Sequence, residues 1–523
     1  DDENLLLDYE ELNYWTRSHG GNYNWKFHNN DQINSGNVSN LNLVWKFQSI
    51  AENKINQKWI QNIQVNPIVI DNILISVFPD TRVIAFDAVA GKTIWEFSYE
   101  NKLPVRRGML AIKENKKRYL FIAFENLLFK IDIETGKPVT EFGNNGSIIV
   151  NSKVAPSVLK DILIVSNLTN ISLFNKITGK KIKQIDIHED ENLKSGNVWG
   201  GSALDKKNEI VYITTGNPFP TTYGVKRKGE NKNANSIIAV SIKSKKLIWS
   251  FQETSHDLWN LDLSSPPIIH DFRIDGKIIE TVIVPTKIGN TLFLERNTGK
   301  PIYDIFYKES PISDVPGELA SNKQIFIEKP ERFAKFEYDE NDFNDLGLTK
   351  KKEIESLIKN SKFGWYETPS FNNDLILYGI HGGAQWHGAA LDPLKQYLYI
   401  PSNNIPWRIK LYMSSIGDKP NIPKKFFNID QVYQNKCSTC HGKNRNGLIE
   451  KNIETRVKYI PSLVGNLFKS NDYKRKFLDE KYINSFHEKK LISKKEIKKL
   501  NEYFNWWDNQ LYIKKKIIVH GDY

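Results

Sequence analysis

Cysteine and methionine are the scarcest residues in this sequence of 523 residues, with only two of each. Two cysteines exclude a disulfide-rich scaffold and a zinc site with four cysteine ligands. There is also no apolar run of about 18 residues, which excludes a membrane-spanning helix. The net charge is +12, but no helix-turn-helix, zinc-finger or RNA-binding motif accompanies it. The charge therefore favours an acidic partner or an anionic membrane surface over nucleic acid.

Aromatic and apolar residues, by contrast, are plentiful. Aromatic residues make up 12% of the sequence and hydrophobic residues 40%. This composition supports a sizeable core, and the length is enough for about two or three domains. The sequence begins at Asp1 without a methionine or a signal peptide, so we expect a processed, exported product.

Both cysteines lie in one motif, Cys437-Ser-Thr-Cys440-His441. C-x-x-C-H is typical of covalent c-type haem attachment. The two thiols lie about one helical turn apart and reach both vinyl groups of one porphyrin, while the histidine becomes an axial iron ligand. A thioredoxin-like pair would need no histidine, and a zinc site would need two further ligands nearby. We therefore predict haem c on Cys437 and Cys440, with His441 as an axial ligand.

The surroundings of this motif have helical patterns. Residues 428–440 predict a short helix that leads into the motif, and Ser493 with Glu496 forms a predicted capping box. Apolar residues then recur at helical spacing, namely Ile497, Leu500, Phe504 and Trp507. The region 424–510 thus resembles the single-haem class I cytochrome c domains, which implies a small all-α domain over about 428–510.

The sixth haem ligand departs from that family, in which it is usually a methionine. Met109 and Met413 both lie outside the domain. The nearest ligand-type residue in the corresponding segment is His487, which is either a surface histidine or the partner of His441 in bis-histidine ligation. His520 and an open site are the remaining alternatives. Bis-histidine ligation would lower the reduction potential.

The N-terminal part of the sequence contains internal repeats. Each repeat is an apolar strand, a polar turn and a second strand, and four of the five turns carry a glycine where a positive φ is needed. The five segments are 83–97, 127–142, 171–185, 237–251 and 291–305. A second match relates 201–217 to 388–404. Hairpins that recur at roughly 45-residue intervals favour a β-propeller over a sandwich.

These repeats resemble the blades of the pyrroloquinoline quinone (PQQ) dehydrogenases, the quinoproteins, particularly the glucose and alcohol branches. The entry segment 31–47 and the stretches 234–267 and 285–302 carry the resemblance. It implies an eight-bladed all-β propeller over residues 1–418. Some relatives insert a cytochrome c domain before the last blade.

That layout implies a linker at 419–427 and a tail at 511–523 that leads toward a last blade missing from this chain. We expect a second polypeptide to complete the ring, because an incomplete propeller exposes strand edges. Covalent haem and the resemblance together imply a periplasmic protein, associated with a membrane only through a partner.

The resemblance also assigns site residues. Trp199 falls on the aromatic floor under PQQ, Arg107 near the quinone oxygens, Lys287 on a quinone contact and Asn217 on a metal ligand. The alternatives are an ordinary blade tryptophan, two solvated cations and a turn asparagine. PQQ is a flat tricarboxylate, and its site combines an aromatic surface, cations and a divalent metal ion, here expected to be Ca²⁺.

Several positions depart from the family pattern. The catalytic aspartate that accepts the substrate proton is replaced by Asn260, and an amide is no general base at neutral pH. A PQQ-contacting glutamate is replaced by Gln64, and an asparagine before a tryptophan by Gln385. Asp262 is retained, and we predict it as the substitute base and as a metal ligand; Asp257 is the less suitable alternative.

The position above the ring is also altered. Methanol-type enzymes carry a vicinal disulfide there and glucose-type enzymes a histidine, whereas this sequence has Asn101, Lys102 and Leu103. Fewer anionic ligands weaken a Ca²⁺ site.

Two functions follow. In the first, the protein oxidises an alcohol or sugar at PQQ and passes electrons through its own haem to a respiratory acceptor or another redox partner. In the second, the propeller is a catalytically inactive scaffold and the haem relays electrons within a larger complex.

Overall fold

The structure is a computed structural model of the chain. It describes residues 9–49, 64, 66–78, 81–100, 102, 104–188, 196–225, 227–274, 276–315, 317–339, 342, 348–370, 373–416, 421–443, 445, 448–451, 457–460, 492–508 and 514–522. The chain divides into two compact units. The first comprises Asp1–Asp342, Gly364–Thr368 and Leu377–Pro406, and the second Phe343–Phe363, Pro369–Ile376 and Trp407–Tyr523.

The first unit is dominated by four antiparallel sheets in which four consecutive strands are neighbours. The strands are β1 (Ile68–Ile70), β2 (Ile73–Val77), β3 (Val83–Asp87) and β4 (Thr93–Phe97); β5 (Pro104–Glu114), β6 (Lys117–Phe124), β7 (Leu127–Asp132) and β8 (Ser147–Ile149); β9 (Ser157–Leu159), β10 (Ile162–Ser166), β11 (Asn170–Asn175) and β12 (Lys181–Asp186); β13 (Val198–Asp205), β14 (Ile210–Thr215), β15 (Ser236–Ser241) and β16 (Lys246–Gln252). Such meanders are the expected form of a propeller blade.

The remaining sheets of this unit are smaller. They are β17 (Ile268–Ile274), β18 (Lys277–Pro285) and β19 (Thr291–Glu295); β20 (Ile305–Glu309) with β21 (Lys323–Ile327); and β24 (Ala390–Asp392) with β25 (Tyr397–Tyr399). The matched segments 201–217 and 388–404 thus both form hairpins, as predicted. A short helix α1 (Tyr9–Asn13) and a 3₁₀ helix (Val38–Asn40) precede the sheets.

Three of the five predicted repeat hairpins form completely, and two do not. All four turn glycines have a positive φ, and Lys245 takes the same conformation, with φ of 58°, in the repeat without glycine. The second strands predicted after Gly136 and Gly299 are wrong, since only isolated bridges at Pro138 and Pro301 are present there. Each proline lacks the N–H that a continuous ladder needs.

Tryptophans connect successive sheets. Trp95 on β4 donates from Nε1 to the carbonyl of Ile133 at 2.7 Å, and its ring lies where a Cβ on Gly136 would stand. Trp249 on β16 makes the same bond to the carbonyl of Arg296 at 3.1 Å. The indole of one sheet therefore packs against the turn glycine of the next sheet. Sequence periodicity alone did not predict this contact.

A buried arginine organises the polar centre of this unit. Arg17 is 2% exposed and donates to the carbonyls of Pro156 and Ala155, each at 3.0 Å. It also donates to Asn24 Oδ1 at 2.8 Å and to Ser202 Oγ at 2.9 Å. Ala155 and Pro156 directly precede β9, and Ser202 lies on β13, so one side chain connects the chain next to two sheets.

The second unit contains a four-stranded sheet with strand order β22–β23–β26–β29. Its strands are β22 (Ser361–Lys362), β23 (Asp374–Leu377), β26 (Trp407–Ile416) and β29 (Lys514–Asp522), and helix α2 (Leu348–Lys359) precedes them. The tail predicted at 511–523 therefore pairs with β26, from Arg408 opposite Asp522 to Ile416 opposite Lys514.

The segment between those two strands is partly helical. It contains a 3₁₀ helix (Lys424–Phe426), α3 (Phe427–Lys436), α4 (Ser438–His441) and α5 (Lys494–Asp508). The expectation of an all-α domain is wrong in one respect, because β27 (Leu448–Lys451) and β28 (Val457–Ile460) form a hairpin there. The single helix predicted over 428–440 is broken at Cys437, whose φ of −124° lies outside the helical region.

Helix α5 forms as the sequence predicts. Ser493 Oγ accepts from the backbone N–H of Glu496 at 3.3 Å, and the Glu496 carboxylate accepts from the backbone N–H of Ser493 at 2.8 Å. This capping box lowers the pKa of Glu496 to about 2. The predicted apolar face is buried against α3, with Leu500 and Trp507 each 1% exposed. No helix in the described part of the chain is long and apolar enough to cross a membrane.

Candidate functional site

The predicted PQQ-site residues lie in the first unit, on four parts of the chain. Arg107 lies on β5 and Trp199 on β13, while Lys287 follows the end of β18. Asn260 and Asp262 lie in the irregular segment between β16 and β17, which is almost wholly buried.

Arg107 and Trp199 contact each other directly. The Arg107 guanidinium carbon lies 4.5 Å from the centre of the Trp199 ring, within the range of a cation–π contact. It also lies 5.8 Å from the ring of Trp386, and Lys287 Nζ lies 5.9 Å from the ring of Trp199. Two cations and two indoles are thus gathered at one place. Trp386 was not selected from the sequence, although it directly follows Gln385.

Lys287 is buried rather than solvated. Its side chain is 5% exposed, and the Asp262 side chain is 4% exposed. The ammonium forms an ion pair with Asp262 and donates to the backbone carbonyl of Asn260 at 3.0 Å. The interpretation of Lys287 as a solvated charge is therefore wrong, and the retained carboxylate is engaged by a neighbouring cation.

The two asparagines of the site form a pair. Asn217 Nδ2 donates to Asn260 Oδ1 at 2.7 Å, and Asn260 has φ of 63°. Asparagine tolerates this left-handed conformation better than most residues. The predicted metal-ligand position and the former base position are therefore joined by an amide–amide hydrogen bond.

Asp257 has a structural role. It is 1% exposed, and its carboxylate accepts from the backbone N–H groups of Trp259 at 2.7 Å and Leu261 at 2.8 Å. Asn235 donates a third hydrogen bond at 2.9 Å. These bonds hold the loop that carries Asn260. The Asp257 carboxylate is therefore occupied by backbone donors, which agrees with the expectation that it is a less suitable base than Asp262.

The other predicted positions are less closely connected. Gln64 is half-buried, and its Oε1 has no hydrogen-bond partner among the described residues. Gln385 donates from Nε2 to the carbonyl of Gly382 at 3.1 Å, within its own loop. Lys102 forms a surface ion pair with Glu125 at 3.0 Å. Asn101, Leu103 and His487 lie outside the described residues.

Burial lowers the pKa of two histidines of the first unit. Burial, together with the Lys287 ammonium, lowers the pKa of His381, while Asp262 opposes this shift. Burial and the charges of Lys26 and Arg17 hold the pKa of His19 well below its usual range. Burial also lowers the pKa of Lys26 to about 8. Sequence reasoning did not select these residues, since no motif marks them.

The buried carboxyl group of Glu253 contacts the turn that carries Lys287. Glu253 is 1% exposed and accepts from Asn290 Nδ2 at 2.9 Å. Burial raises its pKa to about 7. The folded chain thus binds this proton more tightly than the unfolded chain, so stability falls as the pH rises from the ordinary value of 4.5 through 7.

Glu253→Gln should therefore flatten this pH dependence. We expect the free energy of unfolding to fall less between pH 5 and pH 8 in the variant, by roughly 2–3 kcal/mol. Chemical denaturation at both pH values measures this change. Glu309→Gln, at an exposed position of β20, is the matched control and should leave the change in unfolding free energy between the two pH values as in wild type. If Glu253→Gln also shows the same change as wild type, the raised pKa of Glu253 is wrong.

The C-x-x-C-H motif lies in the second unit. Cys437 connects α3 to α4 and is 9% exposed, and the backbone N–H of His441 donates to its carbonyl at 2.8 Å. Tyr433 donates from its hydroxyl to the carbonyl of Gly442 at 2.6 Å, which fixes the end of the motif. The thiol and the imidazole are thus one helical turn apart; the side chain of Cys440 is outside the described residues.

Comparison with known proteins places this arrangement in a family. The model of the PQQ glucose/ethanol/alcohol dehydrogenase β-propeller domain matches residues 15–184 and 173–454. The quinoprotein glucose dehydrogenase of Gluconobacter oxydans is 26% identical over 462 residues, and the match covers 76% of this chain and 56% of the relative. The quinohemoprotein alcohol dehydrogenase of Comamonas testosteroni is 24% identical over 422 residues, and the match covers 72% of this chain and 52% of the relative.

Solved structures agree on the fold. The crystal structure of the Comamonas testosteroni quinohemoprotein alcohol dehydrogenase superposes with a TM-score of 0.52 at 21% identity, covering 76% of this chain and 58% of that one. The chain spans about half the length of the curated relatives that it matches. The fold is mostly β-sheet and propeller-like, and the chain belongs to the β-propeller family of PQQ-dependent glucose, ethanol and alcohol dehydrogenases.

Proposed function

We propose that this protein binds PQQ at Trp199 and its neighbouring cations, oxidises an alcohol or sugar there, and passes the electrons to a c-type haem on Cys437 and Cys440. The observation that carries the proposal is the convergence of Arg107 and Lys287 on the Trp199 ring, at 4.5 and 5.9 Å.

The residues at the site fit PQQ. A flat aromatic tricarboxylate needs a ring to stack on and cations for its carboxylates. Trp199 offers the ring, and Arg107 and Lys287 offer the charges. The buried Oε1 of Gln64, which has no partner among the described residues, offers an acceptor at a position that the resemblance assigns to a cofactor contact. When bound, PQQ supplies a quinone carbonyl that accepts hydride from an alcohol carbon.

The same residues do not fit a divalent cation. Ca²⁺ prefers about six to eight oxygen ligands, including carboxylates. Of the two predicted ligands, Asp262 is ion-paired with Lys287 and Asn217 is hydrogen-bonded to Asn260. Within the described residues, no group of three or more histidine, cysteine, aspartate or glutamate side chains is arranged to hold a metal ion. No step of the proposed reaction is therefore assigned to a metal.

Asp262 is the proposed proton acceptor. Asn260 supplies an amide where the family has a base, and Asp257 is occupied by backbone donors. Asp262 is two residues from Asn260, and its ion pair with Lys287 places a carboxylate and an ammonium next to each other in a buried position. Lys287 would orient the carboxylate and balance its charge while a hydroxyl proton is transferred.

The haem proposal depends on the second unit. Cys437 and His441 lie one helical turn apart beside the packed pair α3 and α5. Covalent haem there would receive electrons singly and deliver them to a redox partner, such as a cytochrome or respiratory complex. Because covalent haem attachment takes place outside the cytoplasm, we infer a periplasmic location.

A second candidate function is a catalytically inactive haem subunit. The amide at Asn260 favours it, since the usual base is absent and its replacement, Asp262, is held by Lys287. In this case the propeller is a scaffold, and electrons enter the haem from another protein.

One experiment separates the two functions. The purified protein is treated with PQQ in the presence of CaCl₂, freed of excess, denatured, and assayed for PQQ by mass spectrometry against haem. We expect about one PQQ per chain, and reduction of the haem absorbance on addition of an alcohol or aldose from a substrate panel. No retained PQQ would reject the enzyme and support the inactive subunit. PQQ without haem reduction by any substrate would support a binding site that has lost its chemistry.

A further inference from the structure

We infer that this site binds its anionic quinone without a divalent metal ion, because the Lys287 ammonium supplies the positive charge at the position where the family pattern predicts the metal. This inference rests on the proposed function and states what it requires: the ligand is a planar polycarboxylate held by side-chain cations alone.

The ammonium of Lys287 engages the predicted metal ligand. It binds the carboxylate of Asp262 and also the backbone carbonyl of Asn260, at the former base position. One of the two predicted metal ligands is thus bound to the lysine Nζ. A metal ion at this carboxylate would have to displace a buried ammonium and leave it without its counter-ion, which is strongly unfavourable.

The other predicted metal ligand, Asn217, forms an amide pair with Asn260. Asn217 Nδ2 donates to Asn260 Oδ1 at 2.7 Å, so that amide oxygen already accepts a hydrogen bond. Both residues are neutral and only half-buried. A neutral amide pair next to a neutralised carboxylate provides no net negative charge, and Ca²⁺ affinity depends strongly on the number of charged ligands.

Cationic side chains are gathered around Trp199. Arg107 and Lys287 both lie within 6 Å of its ring centre, at 4.5 and 5.9 Å. Asp262 forms an ion pair with Lys287. Two cationic side chains thus lie near the indole before any metal is added. Positive side chains attract an anionic ligand directly. In a carboxylate-rich site, by contrast, part of the positive charge of the metal ion is balanced by its own negative ligands.

The experiment measures PQQ binding by equilibrium dialysis of the full chain, with EDTA, with CaCl₂ and with MgCl₂. We expect the wild-type Kd for PQQ to differ by less than about threefold among these conditions. Lys287→Met, which keeps most of the length of the side chain and removes the charge, should weaken binding in EDTA by about 100-fold.

The same variant supplies a signature that misfolding would not produce. Loss of the ammonium frees the Asp262 carboxylate, so CaCl₂ should restore PQQ binding to Lys287→Met at least about tenfold. Lys287→Met/Asp262→Asn should lose this recovery. Near-native circular dichroism confirms that each variant is folded.

The outcomes separate the inference from the function. If wild type binds PQQ only with CaCl₂ or MgCl₂, the metal-free inference is overturned and the proposed function stands. If wild type binds PQQ under no condition, the proposed function fails and the inference falls with it. Binding in EDTA, lost in Lys287→Met and recovered with CaCl₂, supports both.

Discussion

Replacing Trp199 by alanine is expected to weaken PQQ binding by about 100-fold, or roughly 3 kcal/mol. The ring loses its stacking partner, and the guanidinium of Arg107 loses the indole face that lies 4.5 Å from it. Isothermal titration calorimetry measures the change without dependence on tryptophan fluorescence.

Two variants make this result specific. Trp199→Phe retains an aromatic face and should lose about tenfold or less. Trp249→Phe removes an indole from β16 that bonds to the Arg296 carbonyl and lies outside the proposed site. It should lower stability without changing the Kd. Equal losses in Trp199→Ala and Trp249→Phe would show that the effect on binding is indirect.

Replacing both Cys437 and Cys440 by alanine is expected to abolish covalently bound haem. These are the two cysteines of the sequence, so no other thiol is available to form the thioether bonds. Acid–acetone extraction followed by a pyridine haemochrome spectrum measures the effect, because only covalent haem stays with the protein. If wild-type protein expressed with a c-type haem maturation system carries no covalent haem, the haem proposal is wrong.

His487→Ala is the matched variant for the sixth ligand. If His441 and His487 both bind the iron, His487→Ala should keep the covalent haem but convert a low-spin spectrum to a high-spin one. An unchanged spectrum would favour the alternatives, a surface histidine at 487 with His520 or an open position at the iron.

Local sequence patterns predicted the elements that depend on local physics. The turn glycines, the capping box at Ser493 and Glu496, and the buried face of α5 are all present where the spacing placed them. In each case the cause lies within a few residues: a required positive φ, a side chain that satisfies nearby N–H groups, or helical periodicity. The predicted second strands of two repeats do not form, and they contain Pro138 and Pro301. The missing N–H of a proline is an equally local cause, so this outcome could have been predicted from the sequence.

The resemblance to quinoproteins selected Trp199, Arg107, Lys287, Asn217 and Asp262, and the family match confirms the resemblance itself. It did not predict how these residues would pair. The Lys287–Asp262 ion pair joins residues 25 positions apart, and the Asn217–Asn260 bond joins residues 43 positions apart. No spacing rule links them, since each pair meets only when separate loops converge.

The sequence by itself thus determined the repeated strand–turn–strand pattern and the C-x-x-C-H motif, because periodicity and short motifs are properties of neighbouring residues, and its resemblance to quinoproteins indicated the family. The tertiary structure decided what the site contains: a buried lysine bound to Asp262, an amide pair, and Trp386 beside Arg107. Charge compensation in a buried site depends on which side chains come within a few ångströms of each other, and only the packing of distant loops sets those distances.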